Sequence, residues 1–142
     1  MTDLALYRRV LEKEKISAKE SIADFYTFFR NFWHIISTEE FVDNWHIHYI
    51  CGELQKLGIK VANGEDIQDH IINIPPGTTK TSIATVAWPV WMWLIKPTCR
   101  TVKVSYAGNI STDANIKSKQ IVQSDRFQRW FQPYFLAKYG HE

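Results

Sequence analysis

His70-Ile71-Ile72-Asn73-Ile74-Pro75-Pro76-Gly77-Thr78-Thr79-Lys80-Thr81-Ser82 is the stretch that decides how this chain is read. The β-branched run 71–74 predicts a short strand, stopped by Pro75-Pro76. Gly77-Thr78-Thr79 predicts a tight loop, and Lys80-Thr81 opens a stretch able to be helical. That order suits a loop wrapped around an anion. The strand fixes the approach, the loop turns its N–H groups inward, and the helix start adds unpaired N–H groups and a positive dipole end. Pro76, Gly77, Thr78, Thr79, Lys80, Thr81 and Ser82 are therefore the candidate nucleotide-binding residues. Lys80 is placed to reach the β- and γ-phosphates, and the Thr81 hydroxyl is placed to sit on Mg²⁺. The strict pattern for such loops has glycine just before the lysine and again five residues earlier. Here those positions hold Thr79 and Ile74, and the loop glycine is Gly77. An ordinary strand–turn–helix connection is the competing reading.

Upstream of this stretch the pattern is helical. Residues 4–15 form a polar-rich amphipathic segment. Ser17-Ala18-Lys19-Glu20 has capping-box spacing, ahead of an apolar stripe of Ile22, Phe25, Phe29, Phe32 and Ile36. Ser37-Thr38-Glu39-Glu40 repeats that spacing. Asn44 is a candidate cap for a helix with Ile47, Ile50, Cys51, Leu54 and Leu57 on one face, closed by Gly58. Residues 59–69 are polar, and Asn63-Gly64 signals a turn.

Downstream, the helix from Lys80 meets Pro89, which removes a backbone donor and predicts a kink or restart. Residues 100–107 alternate, with Val102, Val104 and Tyr106 on one face and Lys103 and Ser105 on the other, the pattern of a strand. Gly108-Asn109 predicts a turn, 111–123 a helix, and 125–139 an aromatic-rich helical segment interrupted at Pro133. Strand, helix, strand, helix predicts a parallel pair, 70–74 and 100–106, with a right-handed crossover.

The 142 residues amount to one domain, or part of one, and are 45% hydrophobic with 6 Trp, 6 Tyr and 8 Phe, enough for a packed core. Residues 1–95 hold 9 Lys/Arg against 12 Asp/Glu, net −3; residues 96–142 hold 8 against 3, net +5. The basic half either faces DNA or nucleotide, or is a solvated helix surface. Residues 83–95 are the longest apolar run. They are broken by Thr85 and Pro89 and are too short to span a bilayer, so no membrane partner is expected. Cys51 and Cys99 fit no metal or redox spacing, and His46 and His48, two apart, do not share a helix face.

A series of further motifs flanks the loop: Asn44-Trp45-His46, Trp88-Pro89-Val90-Trp91, Val104-Ser105-Tyr106, Ile110-Ser111, Lys117, Ile121-Val122-Gln123-Ser124-Asp125, Phe127-Gln128, Pro133-Tyr134-Phe135 and Lys138-Tyr139-Gly140. In order and spacing this series resembles the N-terminal ATPase region of the large terminase subunit of tailed bacteriophages, from about Phe41 to Gly140.

The resemblance implies an α/β fold: a partial P-loop NTPase of RecA-like (ASCE) type, a three-layer half-domain with parallel strands, preceded by N-terminal helices. Residues 1–60 would be the helical segment and 61–142 the partial ATPase core. It implies ATP and Mg²⁺ as cofactors, with Trp45 and His46 as candidate adenine contacts and core packing as the alternative for Trp45. It implies ATP-driven packaging of double-stranded DNA by the complete protein, with portal and small terminase as partners, in the host cytoplasm. The Walker B acids and the nuclease domain of that family have no counterpart here. Many relatives carry an arginine near Gly77, and arginines where Asp113 and Lys119 stand. The chain alone is therefore expected to bind nucleotide without hydrolysing it usefully, with no confident catalytic residue. Arg100, Arg126 and Arg129 are candidate trans-acting arginines. A fragment, or a truncated relative acting as an interaction protein, are both compatible with this pattern. Unpaired strand edges predict self-association.

Overall fold

The computed structural model describes residues 3–140. Six α-helices run in order: α1 Asp3–Ala23, α2 Phe25–Ile36, α3 Trp45–Asn63, α4 Trp88–Ile95, α5 Gly108–Gln123 and α6 Asp125–Tyr139. A π-helical segment, Ser82–Ala87, leads directly into α4. Helix α2 lies at the centre, packed on α1, α3, α4 and α5. Its Phe25, Phe28, Phe29, Phe32, Trp33 and Ile36 are all buried. Rings from α6 and α4 close around them: Phe32 meets Phe131 at 6.0 Å and Trp130 at 5.8 Å, and Phe25 meets Trp91 at 5.3 Å. Such offset and edge-on aromatic pairs add to the stabilisation from buried area.

The expected α/β architecture is overturned. Among the described residues there is no strand, so neither 70–74 nor 100–106 forms one and no three-layer P-loop sheet exists. Both segments are irregular stretches of chain between helices. The physical reason is pairing: a strand is held by its ladder and by burial of one face, and two isolated strands supply little of either. Instead Ile71, Val102, Val104 and Tyr106 project outward, 84–97% exposed. Ile72 and Ile74 pack against the helical core from the other side. In 100–106 the apolar Val102, Val104 and Tyr106 are exposed and Lys103 is half-buried, the reverse of a strand packed by its apolar face.

Helix boundaries follow local chemistry. The break between the first two helices falls at Asp24 rather than at Ser17. Asp24 takes an extended conformation, and its carboxylate accepts from the Thr27 N–H at 2.8 Å and from the Thr27 hydroxyl at 2.6 Å. Ser17-Glu20 lies inside α1, where helix propagation outcompetes the capping box. The unpaired carbonyls at the end of α1 find partners from elsewhere. Glu20 accepts from the Asp24 N–H, Ser21 from the Trp91 indole N–H at 3.0 Å, and Ala23 from the Gln55 amide at 3.2 Å. The same Gln55 side chain accepts from the Phe25 N–H at 2.8 Å, so one amide spans the junction. Asp24→Ala removes a helix cap within this junction. It is expected to cost about 1 kcal/mol, read as a lowered midpoint in urea with an unchanged slope.

Ser37 ends α2 instead of starting a helix: its hydroxyl accepts from the Glu39 N–H, and 37–44 is irregular. Helix α3 does not close at Gly58 but continues to Asn63, with Gly64 at φ 72° as its left-handed cap. Gly58 has a packing role. A Cβ there would stand 2.8 Å from Met92 Sδ and 2.9 Å from Trp91 Cζ3, so only glycine lets α3 approach α4 this closely. The Trp88 indole N–H donates across the same contact to Leu54 O at 2.9 Å.

The π segment has a direct cause in Pro89. In an α-helix its ring would press on the Thr85 carbonyl and leave that carbonyl without an N–H donor. The widened turn avoids this, and the Trp88 N–H bonds Ile83 O, five residues back. Pro133, expected to interrupt the last helix, lies inside a continuous α6.

Candidate functional site

The loop from Pro75 to Ser82 curls around a hollow of about 230 Å³ lined only by its own eight residues. Two of them turn the chain in the left-handed region: Gly77 at φ 79° and Thr79 at φ 61°. For glycine this costs nothing steric, whereas a β-branched residue there is strained by about 1–3 kcal/mol. Thr79 is the position that the strict phosphate-loop pattern assigns to glycine, and the backbone keeps the glycine conformation without the glycine. Side-chain bonds hold it in place. The Thr78 hydroxyl donates to Pro75 O at 2.7 Å, the Thr79 hydroxyl to Thr78 O, and His46 Nε2–H to the same Thr78 O at 3.2 Å.

Helix begins at Lys80 and runs through the π segment into α4. Its first paired N–H within the hydrogen-bonded ladder is that of Ile83, which bonds Thr79 O at 3.0 Å. The N–H groups of Lys80, Thr81 and Ser82 therefore open onto the loop hollow without helical partners. Among the described residues the Lys80 ammonium has neither ion pair nor hydrogen bond, and the hydroxyls of Thr81 and Ser82 likewise have none. Together the site offers three unpaired N–H groups at a helix start, a free ammonium and two free hydroxyls. That set is suited to an anion with several oxygens. Thr79→Gly is expected to leave the loop in place and to be neutral or stabilising by up to about 1 kcal/mol, measured by thermal melts. A destabilising result would show that Thr79 contributes more than backbone shape.

The other candidates are distributed as follows. His46 is brought to the loop by α3, as its bond to Thr78 O shows. Trp45 is 76% exposed on the first turn of α3, edge-on to His46 with ring centres 6.2 Å apart, so it is neither core nor part of the hollow. His48 turns away from His46, stacks on Tyr26 at 3.9 Å and pairs with Asp43 at 2.9 Å. That bond, with a further contribution from Tyr26, holds the Asp43 carboxyl below its usual range. Arg126 is engaged within the fold: it donates to Asn31 O at 2.6 Å and lies over the Trp130 ring. Arg129 pairs with Glu14 at 3.0 Å. Arg100 is exposed on the irregular segment between α4 and α5. Cys51 is buried, and burial pushes its thiol up to about 12, which makes it a packing residue rather than a nucleophile.

Two features escaped sequence reasoning. Lys103 points inward and donates to the buried Ser118 hydroxyl at 2.8 Å, and its pKa is lowered by burial. Ser118 in turn bonds Val86 O in the π segment at 3.0 Å, tying the 100–106 segment and α5 to the loop helix. The second feature is a cleft between α3 and 70–74, lined by Tyr49 and Asn73 among others. The signal for Tyr49 lay in its spacing of three from His46, which puts both on one side of α3. Comparison of the chain with known protein families, with characterised proteins and with solved structures finds no match.

Proposed function

We propose that the loop 76–82 binds the phosphates of a nucleotide. The observation that carries this reading is Thr79, held in the left-handed conformation of a phosphate-loop glycine directly before Lys80 and an open helix start. In this reading the N–H groups of Lys80, Thr81 and Ser82 bind phosphate oxygens, and the Lys80 ammonium neutralises their charge. Mg²⁺ fits as a companion of the nucleotide: Thr81 provides one hydroxyl oxygen, and the loop contains no carboxylate to hold the ion by itself. Binding without fast turnover is the corresponding behaviour, since nothing within the loop can polarise an attacking water.

The resemblance to large terminase subunits supports a wider role, as the nucleotide-binding part of a motor that packages double-stranded DNA. That role rests on the motif series, while the loop geometry supports the nucleotide site. The test is titration calorimetry with inorganic tripolyphosphate and with ATP, with and without Mg²⁺. Saturable binding supports the reading; no heat with either ligand at millimolar concentration overturns it.

A second reading, an interaction protein that binds a motor or another partner without catalysis, is favoured by a different observation. Val102, Val104 and Tyr106 lie close in sequence on an irregular segment, 88–97% exposed. Clustered exposed apolar side chains on a backbone without a strand partner favour association. Self-association rising with concentration is expected in light scattering, and Val104→Lys should reduce it. A monodisperse monomer at high concentration would count against this reading.

A further inference from the structure

A cavity of about 340 Å³ lies between residues 101–104 and the π segment with the start of α4. It shares no residue with the loop hollow of 75–82. Its volume falls within the range of small-molecule pockets, about 300–1,000 Å³. Ala84, Trp88 and Pro89 give it an apolar wall. One cation, Lys103, and two hydroxyl residues, Thr85 and Thr101, also line it, and no carboxylate does.

Lys103 is an unbalanced charge. It is half-buried, and its ammonium donates one hydrogen bond, to Ser118 Oγ at 2.8 Å. The Ser118 hydroxyl is itself directed at Val86 O, 3.0 Å away, so the chain of bonds ends on a carbonyl and not on an acid. Val86 follows Thr85 directly, which brings the ammonium to the Thr85 side of the cavity. Its other two N–H groups have no partner and no carboxylate pairs with it among the described residues. Burial lowers its pKa, and no neighbouring acid raises it again. The Thr85 and Thr101 hydroxyls are likewise without hydrogen bonds among the described residues.

A partly desolvated ammonium is costly until an opposite charge accepts its remaining N–H groups. The fold supplies no such charge here. One positive charge is balanced by a monoanion, and the two oxygens of a carboxylate can accept from the ammonium and from a hydroxyl together. A phosphate dianion would leave one negative charge unbalanced beside an apolar wall. That wall, with Trp88 and Pro89 in it, suits a flat hydrocarbon body.

We propose that this cavity binds a small carboxylate carrying a flat apolar ring, with the carboxylate on Lys103 and the hydroxyls of Thr85 and Thr101, and the ring against Trp88 and Pro89. The site is separate from the loop 76–82 and stands or falls without it.

The experiment is titration of the full chain with benzoate, benzyl alcohol, acetate and inorganic phosphate, followed by the amide chemical shifts of 84–88 and 101–104. Benzyl alcohol keeps the ring and loses the charge; acetate keeps the charge and loses the ring. Benzoate is expected to saturate these shifts and to bind about 10- to 100-fold more tightly than benzyl alcohol, the range of one charge-assisted hydrogen bond. It should also bind more tightly than acetate or phosphate. Lys103→Met keeps an unbranched apolar stem without the charge and should remove the advantage over benzyl alcohol. Ser118→Ala removes the protein acceptor of the ammonium and should leave benzoate binding in place.

A second readout needs no variant: the Lys103 side-chain shift followed with pH. Among the residues that line the cavity Lys103 alone titrates, and Lys117 and Lys119, on either side of Ser118, are exposed. A bound carboxylate favours the charged amine, so benzoate should raise the Lys103 pKa, and its affinity should fall as pH rises through that pKa. The proposal is overturned if benzoate binds no better than benzyl alcohol, if phosphate moves the same amides at equal affinity, or if Lys103→Met leaves the ratio unchanged. It is also overturned if Lys103 titrates identically with and without benzoate, which would leave Lys103 as a structural tie to Ser118 alone.

Discussion

Replacing Lys80 by alanine is expected to lower affinity for tripolyphosphate and for ATP by about 10- to 100-fold, to or below the limit of detection. The estimate follows from the loss of one charge-assisted contact, about 1.5–3 kcal/mol, at about 1.4 kcal/mol per factor of ten. Lys80 is a fair test because it has no structural partner: its ammonium makes no ion pair or hydrogen bond among the described residues, so its removal should leave the melting temperature unchanged. Equal loss of binding and of stability would point to a misplaced structural role. Lys80→Arg should recover part of the affinity, since charge is kept while the point-like ammonium is lost. Turnover of ATP should stay well below about 1 s⁻¹, the low end for typical enzymes, in the unaltered chain. Mg²⁺-dependent hydrolysis at or above that rate, lost in Lys80→Ala, would show that carboxylates outside the loop complete a catalytic site.

The largest effect on stability is expected at Phe32. Its ring is fully buried and lies 4.7 Å from Phe28, 5.8 Å from Trp130 and 6.0 Å from both Phe127 and Phe131. It therefore joins α2 to α6 at the centre of the aromatic cluster. Phe32→Ala leaves a cavity that stacked rings on both sides cannot easily refill, at a cost of about 3–5 kcal/mol. For a domain of this size that corresponds to a fall in Tm of about 10–15 °C, against a typical total stability of about 5–15 kcal/mol. Phe32→Leu retains most of the volume and should cost far less. A small effect of Phe32→Ala would mean that α6 does not pack on α2 in solution.

The helices and the loop were largely legible in the sequence, because their signals are local. The stripe through Phe25, Phe29, Phe32 and Ile36 and the stripe through Ile47, Cys51 and Leu54 both face the core. The turn at Gly77 and the helix start at Lys80 fall where Pro-Pro-Gly and Lys-Thr place them. The sheet was misread because β-branched alternation records which side chains share a face, not whether a neighbouring strand exists to pair with it. Nothing at 71–74 or 100–106 supplies the second requirement. The α1–α2 boundary was misread because two capping signals competed, and the winner, Asp24, is reinforced by Gln55 from a distant helix. At the candidate site, the loop residues could be named in advance, but which of their groups remain unpaired after the helices pack is settled only in three dimensions.

The wide turn before Pro89 sets an angle. Each α-helical residue advances about 100° around the axis, and a π turn inserts extra arc without breaking the helix. Lys80 and Thr81 stand on one side of that turn, and Trp91 and Leu94, fixed in the core, on the other. Deleting one residue between them would barely shorten the helix but would swing the loop about 100° around it, away from His46. The residue count between the loop 75–82 and the core thus acts as a phase setting. Lys80 keeps its aim only while that count, and the proline that enforces the turn, are both kept.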